Sequence, residues 1–255
     1  MRQFFACIFF IALLAFPSRG VAHDIQLVSN TLPPLKFQKN GRIQGISVDI
    51  VTKILREMDH PIKPSEIQTM AWARAYEDAL TIPGTILLSM AMTEDRKPFF
   101  KWVGPIYTLQ LGLIGKIDRN FDIETAADAA KYEVGTLLST APEQLLFKQG
   151  YPAIKAYRIP KTEQALRMLD DDRIDLFAHT ADSSFFMMPQ LDIDPTKYKV
   201  YYVIKDVSLY IGLNRDFSDD FVAKMQAALD ALKQPGPSDI SEYQRIVKRY
   251  VPYRP

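Results

Sequence analysis

The sequence predicts an α/β protein whose strands form mainly parallel sheets. Short apolar runs typical of buried strands alternate with segments whose apolar residues recur every three to four positions, as in amphipathic helices. The order strand, helix, helix, strand is expected for a mainly parallel sheet, and the same order occurs twice along the chain. The sequence therefore predicts two α/β units of about 90 residues each.

The elements of the first unit can be followed in order. A short strand is predicted over 25–29, and the segment "NGRIQG" predicts a turn at 40–45. The segment 46–58 has apolar residues at 46, 50, 51, 54, 55 and 58, which form the stripe of an amphipathic helix. A second helix is predicted over 70–80, followed by buried strands over 86–91 and 109–117.

The second unit repeats this order. A strand is predicted over 132–138 and a helix over 139–150, with Thr140 and Glu143 as a T-x-x-E capping box and Gly150 at the end. A helix at 162–172 then leads into a buried strand at 173–179. The remaining predicted elements are strands at 198–204 and 208–215 and terminal helices at 218–234 and 241–251.

The N-terminal segment 1–22 has the layout of a secretory signal peptide. A short positive start precedes an apolar run of 13 residues, and small residues, Gly20 and Ala22, stand where a signal peptidase reads. The run is shorter than the roughly 20 residues that span a bilayer. We expect cleavage after Ala22 and export, and the alternative is an uncleaved membrane anchor.

Composition excludes several classes of protein. The only cysteine, Cys7, lies in the apolar run, so the mature chain would contain neither a disulfide nor a cysteine-based metal site. The predicted mature chain has 29 basic and 30 acidic residues, and this balance does not indicate a nucleic-acid partner. It contains no second apolar segment long enough to span a membrane.

Four segments, in this order, resemble motifs of one protein family. They are "GRIQGISVDIVTKILREM", "SMAMTEDRKPFFKWVGPIY", "VGTLLSTAPE" and "DDRIDLFAHT". Together they resemble the bacterial extracellular solute-binding proteins of family 3, periplasmic proteins that deliver polar amino acids to ABC importers. The resemblance covers nearly all of the predicted mature chain.

The resemblance implies a type II periplasmic binding fold. Two α/β lobes, each a mainly parallel sheet flanked by helices, would be joined by two crossover strands and close on a ligand between them. Lobe 1 would be 23–108 completed by 208–255, lobe 2 would be 109–207, and the crossovers would be 107–113 and 207–213. The resemblance also implies a periplasmic monomer that works with an ABC permease and needs neither cofactor nor metal.

In this family the arginine of the T-x-x-R motif clamps the carboxylate of the ligand, and the matching residue is Arg96. A planar guanidinium can donate two parallel hydrogen bonds to a carboxylate, which a lysine cannot do. The alternative is a surface arginine that pairs with Glu94 or Asp95.

The resemblance implies further ligand contacts in both lobes. Ser89 and Ala91 match contact positions in lobe 1, where alanine retains only the backbone hydrogen bonds. Ser139 and Thr140 match a helix N-terminus whose amides meet the same carboxylate, and such a terminus favours an anion. Trp72, near the expected cleft, would either stack on a ligand or belong to the core.

One position departs from the family pattern. Members that bind α-amino acids usually have an aspartate for the ammonium group where this chain has Thr180, preceded by His179. Threonine cannot neutralise a buried cation, and a buried unpaired charge is costly. The missing aspartate therefore favours a dicarboxylate, a keto acid, a peptide fragment or an aromatic compound over an ordinary α-amino acid, unless Asp182 or Asp49 replaces it.

Three functional hypotheses follow from these residues. The leading one is a periplasmic binding protein that captures a small carboxylate-bearing ligand, a polar amino acid or a related organic acid, in the interlobe cleft for ABC-type import. The second is a periplasmic enzyme on the same fold, similar to a dehydratase, for which His179 and Asp182 are the candidate acid or base. The third is a ligand-sensing partner of a membrane receptor.

Overall fold

The computed structural model describes residues 24–237 and 239–252, and the expected signal peptide lies outside them. The fold is mixed α/β, as the sequence predicts. Its strands are β1 Gln26–Ser29, β2 Phe37–Lys39, β3 Arg42–Gln44, β4 Gln68–Thr69, β5 Thr85–Ala91, β6 Lys101–Lys116, β7 Val134–Leu137, β8 Tyr157–Ile159, β9 Leu176–Thr180 and β10 Tyr198–Leu213. Its helices are α1 Ile46–Glu57, α2 Trp72–Thr81, α3 Ala141–Lys148, α4 Thr162–Asp170, α5 Ala181–Met187, α6 Asp219–Lys233 and α7 Glu242–Tyr250.

Eight of these strands form one sheet in the order β4-β1-β5-β10-β6-β9-β7-β8. The pairs β1–β4, β1–β5, β7–β8 and β7–β9 are parallel. The three pairs in the middle, β5–β10, β10–β6 and β6–β9, are antiparallel. The sheet thus consists of two parallel outer parts joined by two antiparallel central strands.

The central strands β6 and β10 are each 16 residues long and longer than the sequence predicts. The predicted strands 198–204 and 208–215 are in fact parts of the single strand β10. Lys205 and Asp206 lie in the middle of β10 with exposed side chains, and their backbones pair in register with Leu111 and Gln110 of β6. These two charged residues interrupt the apolar pattern, so the sequence predicted two strands where the backbone forms one.

Helices cover both faces of the sheet. Helices α1, α6 and α7 pack on one face of the β1–β5 part, and α2 packs on the other. Helices α4 and α5 cover one face of the β7–β9 part, and α3 covers the other. Two of the four hydrophobic clusters are built from 25–109 and 207–251, and the other two from 111–207. Helix α5 was not predicted, because its sequence "ADSSFFM" is too short to show a helical period.

The segment between β1 and α1 is held close to the sheet. Gly45, with φ of 133°, precedes α1, and a Cβ at this position would overlap the carbonyl group of Leu35. The first amides of α1 are satisfied by this segment, since Ile46 N donates to Pro34 O at 3.2 Å and Ser47 N to Leu35 O at 2.9 Å. This capping fixes the position of the neighbouring Lys36.

Within the described part of the chain, no helix has both the length and the apolar composition that a membrane span requires.

Candidate functional site

The carboxyl ends of the parallel strands face one another in the middle of the sheet. Strand β5 ends at Ala91, which is in register with Leu209 and, through it, with Tyr107 of β6. Strand β9 runs in the opposite direction and ends at Thr180, in register with Leu111 of β6. The two ends are separated by four residues along β6, or about 13 Å at the usual rise per residue.

We call the space between these ends the central gap. It is bounded on one side by the carboxyl ends of β1 and β5 and on the other by those of β7 and β9. In α/β sheets, ligands bind outside the carboxyl ends of the strands. The central gap is therefore the candidate binding site.

Arg96 lies on an aromatic platform beside the end of β5. Its Cζ is 5.2 Å from the ring centre of Trp72 and 5.6 Å from that of Tyr76, and its Nη1 donates to Ala91 O at 3.2 Å. Cation–π contacts of this kind attract a guanidinium to the face of an aromatic ring. A guanidinium has five N–H donors and one of them is used for Ala91 O, so donors remain that a carboxylate can accept.

Arg96 does not form the surface ion pair with Glu94 or Asp95 that was the alternative to a ligand contact. Glu94 pairs with Lys97 at 2.6 Å, and no ion pair of Arg96 is found among residues 24–237 and 239–252. Trp72, Ala91 and Arg96 are thus brought together. Trp72 also packs against the core beneath α2. It therefore belongs to the core and at the same time lies beside Arg96.

Two buried polar atoms at this edge have no hydrogen-bond partner among the described residues. They are Oγ of Ser89, which is 2% exposed, and Oδ1 of Asn30. Val28 pairs with Leu87, so the residues two positions further on, Asn30 and Ser89, lie side by side at the ends of β1 and β5. An unsatisfied buried polar group costs about 1–3 kcal/mol, and such groups are often satisfied by a ligand or water.

Lys36 is a residue of this edge that the sequence analysis missed. It is 1% exposed, and its Nζ donates to Ser89 O at 2.8 Å. Burial disfavours the charged form and lowers the pKa of Lys36 to about 7. The available signal was a lysine inside the otherwise apolar stretch "LPPLKF", where a solvated charge is not expected.

On the opposite side of the gap, the capping box predicted for Thr140 and Glu143 does not form. Thr140 precedes α3, but its Oγ1 donates back to Leu137 O at 2.8 Å. Glu143 instead accepts the amide of Ser139 at 2.7 Å, because Thr136 and Arg158 hold its other oxygen at 2.9 and 3.0 Å. Ser139 adopts φ of 60°, which turns its amide toward this carboxylate.

The buried Glu143 changes what this helix terminus can bind. Burial alone would raise its pKa, but Arg158, the Ser139 amide and Thr136 outweigh burial, so the pKa lies below its usual value. The amide of Thr140 also has a partner, Leu137 O at 3.2 Å. An external anion therefore meets fewer available amides here than the resemblance implies.

His179 and Thr180 end β9 at the gap. The half-buried imidazole of His179 stacks on Phe177 with ring centres 4.9 Å apart, and its Nδ1 is 2.9 Å from Ser184 Oγ. Burial lowers the pKa of His179 to about 4, so the ring is neutral at pH 7. Thr180 is the residue before α5, and its carbonyl accepts Ser184 Oγ at 3.2 Å.

The two carboxylates that could replace the missing aspartate have other partners. Asp182 is 1% exposed and its Oδ1 accepts the hydroxyl of Tyr107 at 2.7 Å. Asp49 accepts Nη1 of Arg249 at 2.6 Å and the hydroxyl of Tyr250 at 2.9 Å, which ties α1 to α7. Both carboxylates connect elements of the fold.

A separate cavity of about 710 Å³ lies outside the central gap. It is bounded by the β2–β3 hairpin, α5 and α7, with Phe37, Phe186 and Tyr250 among its lining residues. None of the residues that the sequence analysis assigned to the ligand lines it. In the described part of the chain, no cluster of three or more His, Cys, Asp or Glu side chains could hold a metal ion.

Comparisons with known proteins agree with this architecture. The family model of bacterial extracellular solute-binding proteins, family 3, matches residues 25–253. Substrate binding domain 2 of GlnP from Lactococcus lactis, solved in an open conformation, is 16% identical with a TM-score of 0.71, covering 92% of this chain and 98% of that one. No protein of curated function matches the chain.

Two further solved structures have the same fold. The second substrate binding domain of a protein assigned as an amino acid ABC transporter from Streptococcus pneumoniae is 18% identical, with a TM-score of 0.69, covering 89% of this chain and 99% of that one. A histidine kinase sensor domain with similarity to periplasmic binding proteins is 16% identical, with a TM-score of 0.63, covering 90% of this chain and 96% of that one.

Proposed function

The chain belongs to the bacterial extracellular solute-binding proteins of family 3, and on this premise we propose that it captures a small carboxylate-bearing solute in the central gap. The observation on which the proposal rests is the position of Arg96 at the end of β5. Its guanidinium carbon lies 5.2 Å and 5.6 Å from the ring centres of Trp72 and Tyr76, and it has no ion pair among residues 24–237 and 239–252. A carboxylate is the group whose geometry matches its remaining donors.

We propose that capture involves closure of two lobes, 23–108 with 208–255 and 109–207. The register supports these boundaries, because Thr108 pairs with Ser208 and Leu109 with Val207 on the two central strands. The hydrophobic clusters support them as well, since their members separate near the same positions. Two strands shared by separate cores form a hinge of the kind found in domain closure.

We propose that the exported chain acts in the periplasm and delivers its solute to an ABC permease in the inner membrane. The family description and the similarity to a substrate binding domain assigned to an ABC transporter support this partner. The similarity to a histidine kinase sensor domain supports the alternative that a membrane receptor reads the bound state. Both roles use the same binding step.

The enzyme hypothesis receives less support from the geometry. A general acid or base needs to reach a proton of the substrate with a pKa near the working pH. The pKa of His179 lies near 4, and its ring is held between Phe177 and Ser184. This arrangement is typical of a structural histidine.

Binding of carboxylates is tested by calorimetry on wild type and on Arg96→Ala, after a thermal-shift screen of amino acids, dicarboxylates and keto acids. A true ligand at 100 times its Kd adds about 2.7 kcal/mol of stability. We expect Arg96→Ala to remove binding of every carboxylate found, because the clamp is lost while the fold is not. Arg56→Ala, at an exposed position of α1, is the matched control.

Arg96→Lys tests whether binding needs the planar guanidinium, which can make two parallel hydrogen bonds, as well as the positive charge. We expect this variant to bind at least tenfold more weakly than wild type, because an ammonium cannot make the bidentate contact or keep the same stacking on Trp72. Unchanged affinity of Arg96→Ala for a bound carboxylate would reject the clamp and the proposed function with it.

A further inference from the structure

We infer that Lys36 is a second anion-binding group of the central gap, and that the solute has two carboxylate groups and no ammonium group. The inference rests on the proposed function, because it names the class of solute that the same site binds. It assigns a role to a residue outside the four motifs of the resemblance.

Lys36 and Arg96 approach neighbouring positions of one strand. Nζ of Lys36 donates to Ser89 O at 2.8 Å, and Nη1 of Arg96 donates to Ala91 O at 3.2 Å. Carbonyl groups two residues apart on a strand point to the same edge, with about 7 Å between them. Each cation is hydrogen-bonded to one of these two carbonyls, and a spacing of this order suits the two ends of a short aliphatic dicarboxylate.

The ammonium of Lys36 lacks a counter-charge in the protein. No acidic side chain forms an ion pair with it among residues 24–237 and 239–252, although it is 1% exposed. Removing an ammonium from water costs several kcal/mol unless an opposite charge compensates. A carboxylate of the solute would provide that charge, and the unpartnered hydroxyl of the adjacent Ser89 can donate to the same group.

The same surroundings disfavour an α-ammonium. Thr180 offers no negative charge, and Asp182 accepts the hydroxyl of Tyr107. Ser89 O, a carbonyl that could accept an ammonium from a ligand, already accepts Lys36. A solute ammonium placed here would lie beside a cation of the protein, with Thr180 where the family pattern has an aspartate.

The test compares four probes by calorimetry on the purified protein: succinate, glutarate, pentanoate and L-glutamate. Pentanoate has the chain length of glutarate with a single carboxylate, and L-glutamate is glutarate with an added ammonium. We expect the better of the two dicarboxylates to bind wild type at least tenfold more tightly than pentanoate or L-glutamate.

Lys36→Met keeps the length of the side chain without its charge, and Lys39→Met, at an exposed position of the adjacent hairpin, is the matched control. We expect Lys36→Met to weaken dicarboxylate binding at least tenfold and to remove the preference over pentanoate. Lys39→Met should bind all four probes as wild type does. Lys36→Gln, which retains a donor at this position, serves as a second variant if the melting curve of Lys36→Met shows a loss of fold.

The outcomes separate this inference from the proposed function. If L-glutamate or another α-amino acid binds more tightly than the dicarboxylates, or if Lys36→Met and Lys36→Gln bind dicarboxylates as wild type does, the inference is wrong and carboxylate capture stands. If no carboxylate binds wild type, or if Arg96→Ala binds them equally well, the proposed function fails as well.

Discussion

At the scale of single residues, the two cations beside β5 differ in how the protein accommodates them. Arg96 is half-buried and spreads its charge over two aromatic faces, at little cost of desolvation. Lys36 is almost fully buried, with one carbonyl contact. A guanidinium is weakly hydrated and tolerates such a platform, whereas an ammonium is a compact, strongly hydrated charge. Burial therefore couples the protonation state of Lys36 to folding.

We expect the ligand-free protein to be stabilised by Lys36→Met at pH 6. The pKa of Lys36 is lowered to about 7 from 10.5, so between these values the unfolded chain binds a proton that the folded chain lacks. Stability of the wild type then rises with pH across this window, and the gain from Lys36→Met falls from on the order of 3–5 kcal/mol toward zero. Denaturant titrations at pH 6, 8 and 10 measure it, and a gain that is independent of pH would contradict the burial of a charged lysine.

At the scale of elements, helix termini in this protein are satisfied by tertiary contacts more than by the local motifs. The N-terminus of α1 uses carbonyls of the segment 34–35, and the turn before α3 uses Glu143. Helices α1 and α7 are joined through Asp49 of α1, which accepts hydrogen bonds from Arg249 and Tyr250 of α7. Helix α7 has one fully buried apolar side chain, Ile246, so this polar contact contributes to its docking.

Asp49→Ala should therefore loosen α7 and lower the stability of the protein by about 1–3 kcal/mol, the usual loss when hydrogen bonds to a charged group are removed. Tyr250→Phe, which removes one of the two donors, should cost about half as much. Chemical denaturation gives both values, and hydrogen exchange of the α7 amides locates the change. Solute affinity should stay unchanged, because Asp49 serves the fold and not the gap.

At the scale of the whole molecule, β6 and β10 belong to both parts of the sheet. The parts also touch beside these strands, since Ser183 Oγ donates to Pro33 O at 2.7 Å and the rings of Phe37 and Phe186 are 4.9 Å apart. These contacts lie on the side of α5, whereas the platform of Arg96 lies on that of α2. The two parts of the sheet are therefore joined by side-chain contacts of α5 as well as by the two central strands.

We expect a bound carboxylate to compact the molecule by drawing the two lobes together. Small-angle X-ray scattering of the wild type should show a decrease in the radius of gyration when a ligand found in the screen is added at saturation. Arg96→Ala should show no decrease at the same concentration, because it lacks the group that we propose binds the carboxylate of the solute. A wild-type radius unchanged by a ligand whose binding is measured independently would contradict closure.

Much of this architecture was available from the sequence. Hydrophobic periodicity is a local property, so the stripe of α1 and the apolar runs of β5 and β9 predicted these elements and their order. Periodicity did not predict features that depend on contacts between residues far apart in the sequence. Charged residues inside β10 concealed one continuous strand. The capping box that Thr140 and Glu143 suggest does not form, because the distant Arg158 and Thr136 hold the Glu143 carboxylate.

The sequence by itself determined the α/β class, the family and Arg96 as a candidate ligand residue, because these depend on short patterns of neighbouring residues. Only the tertiary structure decided that the ends of β5 and β9 face each other across the central gap. It also decided that Lys36 is buried at this edge with no ion-pair partner in the part of the chain that the structure describes. A side chain is buried by atoms from segments that are far apart in the sequence. The desolvation that lowers the pKa of Lys36 arises in this way, so no local sequence pattern predicts it.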